Sequence, residues 1–181
     1  MFARIAGEHL DEYVHTEVLF YPIGSVSGVA LPQLTIGAWL ETAWRLSARP
    51  AALDRAQSAV FEEARASARR VRSLWPALYQ HKARREFKSR LDSWAWYLDD
   101  LLGKDGPLTA QGSAYASQSH TRFKLELLRQ EVSQLSGELQ RLEMGDRRLR
   151  LRFVPGPFLW EPDLEAAAPR EAYWWLHGAP V

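Results

Sequence analysis

From Ala51 to Leu102 the chain contains no glycine and a single proline, Pro76. Apolar residues recur through that stretch at helical spacing. Leu53, Val60, Phe61, Ala64, Ala68, Val71 and Trp75 precede the proline; Ala83, Phe87, Leu91, Trp94, Ala95, Leu98 and Leu102 follow it. A stripe of this period predicts amphipathic helix. One unbroken helix would be ~78 Å long at 1.5 Å per residue, whereas a domain of this chain's length has a radius of gyration of ~16 Å. The run is therefore broken, and Pro76, which suits a first turn but not a helix interior, marks the place. The expectation is a helix starting near Pro50, a break at Ser73–Pro76 with Ser73 as N-cap, and a second helix over 77–102 closed by Gly103. On that second helix Arg85, Ser89, Asp92 and Trp96 fall opposite the apolar stripe, so Trp96 points away from the core.

The other elements follow from the same reasoning. Residues 7–16 read as a short acidic helix, and Val18–Tyr21 and Val29–Leu31 as short β-prone runs stopped by Pro22 and Pro32. The glycines of Gly24–Gly28 favour a turn or loop between them. A helix is expected over 33–47, with Leu34, Trp39 or Ala38, Leu40, Ala43 and Leu46 inward and Glu41 and Arg45 outward. A loop is expected at 104–113. Leu125, Leu128, Val132, Leu135, Leu139 and Leu142 alternate spacings of three and four, a heptad seam that predicts one helix over 114–144 with Gly145 as its C-cap. Arg122–Glu126 and Glu138–Arg141 would pair on its surface, and the seam could join two copies of the chain. At 147–154 the period changes to two: Arg148, Arg150 and Arg152 alternate with Leu149, Leu151 and Phe153, which predicts a strand. Pro155-Gly156-Pro157 would end it. A strand needs a partner, and Val18–Tyr21, Val29–Leu31 or Phe158–Trp160 could supply one. The proline- and aromatic-rich tail reads as a clasp with one short helix from Pro169 to His177.

These elements imply a mostly α fold, an irregular antiparallel helical bundle with a small β element near residues 147–154. With 181 residues, one domain is expected. Residues 1–32 would form an N-terminal region of short elements, and 155–181 the C-terminal clasp. Absence of cysteine excludes disulfides, thiol catalysis and thiolate metal sites. No apolar run approaches the ~20 residues of a membrane span, and the N-terminus lacks the apolar core of a signal peptide. Cytoplasm is the expected compartment. Asparagine is absent and lysine occurs only four times, a bias that a GC-rich genome or a thermophile would give.

The chain carries few local signatures of chemistry. There is no Gly-x-x-x-x-Gly-Lys-Ser/Thr phosphate loop. Val26 occupies the serine position of a Gly-x-Ser-x-Gly elbow between Gly24 and Gly28. Glu12-x-x-His15 has the one-face spacing of carboxylate-bundle metal ligands, with His9 one step back, but no second such motif exists. His9, Glu12 and His15 are thus the weak metal candidates, no cofactor is expected, and an enzyme or metal-binding bundle is the remotest reading.

Charge is the stronger signal. The net charge is +1, yet residues 65–90 hold nine Lys or Arg and one acid, Glu86. A solvated surface paired with the chain's own acids is the plainest account. Two functional accounts compete with it. Arg69, Arg70, Arg72, Lys82, Arg84, Arg85, Lys88 and Arg90 could neutralise phosphates, with Trp75, Tyr79 and Trp96 stacking on bases and Arg148, Arg150 and Arg152 extending the face. The pI of about 8.1 falls short of the usual nucleic-acid footprint above ~9. Alternatively the same residues and Trp96 contact an acidic protein, since Arg and Trp are enriched in interface hot spots. The favoured expectation is a non-enzymatic interaction or adaptor protein, with a nucleic-acid-binding protein as the alternative.

Overall fold

The computed structural model describes residues 1–103 and 112–181. The loop expected at 104–113 lies outside the described residues up to position 111. The fold is mostly α, 67% helical with two small antiparallel two-stranded sheets, as the periodicity predicts. Its contacts group into two units, residues 1–87 with 127–133 and residues 88–126 with 134–181.

In the first unit, α1 (Phe2–His15) begins earlier than its acidic segment suggests. Ala3, Ile5, Ala6 and Leu10 are buried and extend its apolar face toward the N-terminus. It packs closely on α3 (Arg55–Leu74), where a Cβ at Gly7 would stand 3.0 Å from Ala64 Cα. Ser67 Oγ donates to the Gly7 carbonyl at 2.8 Å. A hairpin of β1 (Ser25–Val26) and β2 (Val29–Ala30) follows. Its turn residues Ser27 and Gly28 both have positive φ, 51° and 80°, the backbone of a two-residue primed turn. The Val18–Tyr21 run contributes only a bridge from Tyr21 to Leu34.

Helix α2 (Ile36–Ser47) is capped by Thr35, whose hydroxyl oxygen accepts from Ala38 N at 3.0 Å. The same hydroxyl donates to Glu86 Oε1 at 2.6 Å, and Gly37 N donates to Glu86 Oε2 at 2.8 Å. A buried carboxylate thus sits on the helix N-terminus, satisfying orphan donors and matching the helix dipole. Gly37 is required there, because a Cβ would lie 2.6 Å from Glu86 Oε1. Glu41, expected outside, is buried, and Arg45 Nε donates to it at 3.1 Å.

Asp54 and Gln57 form a capping box at the start of α3. The break falls where the proline puts it, although Ser73 stays in α3 and Trp75 forms the junction. Helix α4 (Pro76–Leu102) then runs unbroken for 27 residues. Its first twelve positions belong to the first unit and the rest to the second. Gly103 follows it, with its N–H on Asp99 O at 2.9 Å.

In the second unit the single helix expected over 114–144 is two, α5 (Gly112–Leu128) and α6 (Ser136–Arg150). The chain leaves the helix after Leu128, and Gln134 adopts a left-handed φ of 67°. The heptad survives as a burial pattern, since Leu135, Leu142 and Leu149 are all buried along α6. Ion pairs Lys88–Glu138, Asp92–Arg141 and Asp99–Arg148 rise together along the two sequences, so α6 runs parallel to α4. Gly145 lies inside α6 and is not a cap.

The period-two reading of 147–154 is corrected in the same way. Arg147, Arg148 and Arg150 occupy the last turn of α6, where cations complement exposed carbonyls. Leu149 is buried while Leu151 is 85% exposed, so the alternating leucines share no face. The small β element is present but shifted: strand β3 (Phe153–Phe158) overlaps the expected span at Phe153 and Val154. It runs through Pro155-Gly156-Pro157 and pairs antiparallel with β4 (His177–Pro180). Neither strand has a second neighbour among the described residues, and an edge strand is where proline is tolerated. Gly178 permits the pairing, because a Cβ there would meet Val154 O at 2.2 Å.

The tail forms 3-10 turns at Pro162–Ala167 and Trp174–Leu176 in place of a 169–177 helix. Its consecutive aromatics diverge. Tyr173 lies against Phe123, Trp174 against Phe153, and Trp175 is buried beneath Arg122.

Candidate functional site

Several cations of the basic stretch are buried or paired within the fold. Lys82 is 1% exposed, with its ammonium on Val18 O at 2.5 Å and Thr16 Oγ1 at 3.2 Å, over the Tyr13 ring. Burial lowers its pKa, with Arg85 adding to the effect. Its ammonium is enclosed and so is not presented to a partner. Arg85 pairs with Glu17 at 3.1 Å, Arg72 with Glu131 at 3.0 Å and Lys88 with Glu138 at 4.0 Å. Arg84 and Arg90 also have partners. Arg69 and Arg70 are exposed.

The strand-face arginines separate too. Arg148 pairs with Asp99 at 2.6 Å, Arg150 covers the Trp174 ring at 3.9 Å, and Arg152 Nε donates to the Val181 carbonyl at 2.9 Å. Among the aromatics proposed to stack on bases, Tyr79 is buried. Trp75 donates its indole N–H to Asp11 Oδ1 at 2.9 Å. Trp96 stands as the periodicity predicts, 74% exposed.

The weak metal candidates do not converge. His9 Nδ1 lies 3.4 Å from Glu12 Oε2, while His15 Nδ1 is 2.8 Å from the Asp11 carbonyl and its ring edges onto Trp75. Hydrogen bonds from Tyr21 and His9 hold the Glu12 carboxyl below its ordinary range. No group of three or more ligating side chains is placed to hold a metal among the described residues.

What the fold does assemble is a cleft in the first unit, with a volume of about 160 Å³. Trp39, Leu40 and Ala43 of α2, Ala68 of α3 and Tyr79 of α4 make its apolar walls. Arg65, Arg69 and Arg72 line it from α3, one above another because positions i, i+4 and i+7 share a helix face. Glu131 closes one end. Arg65 is tied to Glu62 at 2.8 Å and covers the Phe61 ring. Arg72 Nη1 meets Glu131 Oε1 at 3.2 Å and lies over Tyr79. Arg69 has no carboxylate partner among the described residues. Burial raises the Glu131 carboxyl above its ordinary pKa, offset only in part by Arg72. It raises the Tyr79 phenol strongly, with Glu131 adding to the effect.

Arg69 and Arg72 were legible in the sequence as basic residues. The walls and Glu131 were not, because they come from separate segments. The 3-4 spacing of Arg65, Arg69 and Arg72 on an otherwise apolar-faced helix is the signal that points to the cleft.

Comparison with protein-family models, with curated proteins and with solved structures gives no match to this chain.

Proposed function

We propose that this chain is a non-enzymatic interaction protein whose α2–α3 cleft receives an acidic segment of a protein partner. The observation that carries the reading is the row of three guanidiniums over an apolar floor, with Arg69 lacking a carboxylate partner among the described residues. Arginine presents a planar fork of donors that matches a carboxylate and is weakly hydrated, so it tolerates a contact from which water is excluded. The cleft's volume, about 160 Å³, is below the ~300 Å³ at which small-molecule pockets begin. It suits one or two side chains of a peptide. Trp96, 74% exposed and flanked by the Asp92–Arg141 and Asp99–Arg148 pairs, gives the second unit a candidate contact of its own.

The test is fluorescence anisotropy with a labelled acidic peptide and the same peptide with glutamine in place of glutamate. The protein should prefer the acidic form, and the preference should weaken with salt. Arg69→Glu should reduce acidic-peptide affinity about tenfold or more, the scale of a desolvated charge pair turned repulsive. Equal binding of both peptides to the wild-type protein would refute the reading.

A further inference from the structure

Segment 127–133 groups with the first unit, and it brings one acidic residue, Glu131, into the cleft. Leu128 at its start is fully buried. Ser133 near its end holds Gln80 by a long 3.4 Å contact. Glu131 is the carboxylate already present, yet it is poorly held. Its Oε2 is buried without a hydrogen bond, although Arg72 Nη1 stands 3.0 Å away. Arg72 itself is 55% exposed and open to an incoming group. Next to the segment, Gln134 keeps a left-handed φ of 67°, a conformation that costs energy in a residue other than glycine.

We infer that Glu131 is a placeholder for the partner's carboxylate. The ligand is an acidic segment with two carboxylates about one helical turn apart. One engages Arg69, and the other displaces Glu131 from Arg72 while an apolar side chain between them meets Trp39 and Ala43. This rests on the reading of the cleft as a binding site. The spacing follows from Arg69 and Arg72, which stand three residues apart on one helix face. The exchange is favourable because a ligand carboxylate free to orient can satisfy both oxygens, which Glu131 does not.

The experiment uses the full chain and a blocked, fluorescein-labelled alanine-rich peptide. The peptide carries two glutamates three residues apart with a leucine between them, and a glutamine counterpart serves as control. Glu131→Gln should bind the acidic peptide about fivefold more tightly than wild type, the scale of one released surface ion pair. Its affinity for the glutamine peptide should be unchanged. If the wild-type protein prefers the acidic peptide and Arg69→Glu loses it, but Glu131→Gln binds no more tightly, the placeholder role is refuted and the cleft reading stands. If neither wild type nor Glu131→Gln distinguishes the two peptides, both are refuted. Far-UV circular dichroism checks the fold of each variant, and Glu131→Ala repeats the measurement should the glutamine variant fail to fold.

Discussion

Arg122 is 3% exposed and divides its guanidinium among three partners. Nε and Nη2 donate to Asp146 at 3.0 and 2.8 Å, Nη1 donates to Glu126 at 3.2 Å, and the plane lies 3.9 Å from the Trp175 ring. Removing the cation strands two carboxylates of low exposure, which is far costlier than losing a surface pair. Arg122→Ala should therefore destabilise the protein by about 3–5 kcal/mol in urea denaturation. A loss below about 1 kcal/mol would show that the pair is effectively solvated. The sequence gives the Arg122–Glu126 spacing but not its burial, since Asp146 and Trp175 lie far along the chain. Lys82 shows the converse. It reads as one more cation among Arg84, Arg85 and Lys88, yet its helix phase matches Tyr79, Ala83 and Glu86, all buried. Phase on the helix, rather than charge density, carries the information about exposure.

At the scale of elements, close helix approach depends on small residues. Gly7 faces Ala64 across α1 and α3, where an added Cβ would crowd Ala64 at 3.0–3.1 Å. Gly7→Val should cost about 1–3 kcal/mol through overpacking, read as a lowered thermal midpoint; an unchanged midpoint would mean that α1 shifts freely. The largest misreading also belongs here. Residues 147–152 carry a pattern of period two, but a leucine every seventh residue fits α6 equally well, and Leu149 takes its place after Leu135 and Leu142. Arginines in a last turn favour the helix further. A six-residue alternation is too short to outweigh a helix already propagating into it, because extending a helix is easier than nucleating another element. The break between α5 and α6 was hidden for a related reason: the leucine spacing continues through it.

At the scale of the whole molecule, the sequence concentrates cations in 65–90 and the fold then buries or pairs several of them. Lys82 is buried, Arg72, Arg85 and Lys88 meet carboxylates, and Arg148, Arg150 and Arg152 take three different partners. Affinity for nucleic acid grows with the number of phosphates neutralised at once. Labelled single- and double-stranded oligonucleotides should accordingly bind more weakly than about 100 µM at physiological salt; tighter binding with a steep salt dependence would revive the nucleic-acid reading. The sequence by itself determined the helical class, the break at Pro76, the close of α4 at Gly103 and the exposure of Trp96. Each of these depends on local backbone limits or on periodicity within one helix. Tertiary structure alone decided that Glu86 caps α2, that Arg122 is enclosed, and that Glu131 meets Arg72 in the cleft. Those outcomes depend on which faces of distant segments meet, and a contact between residues dozens of positions apart leaves no trace in the spacing of either one.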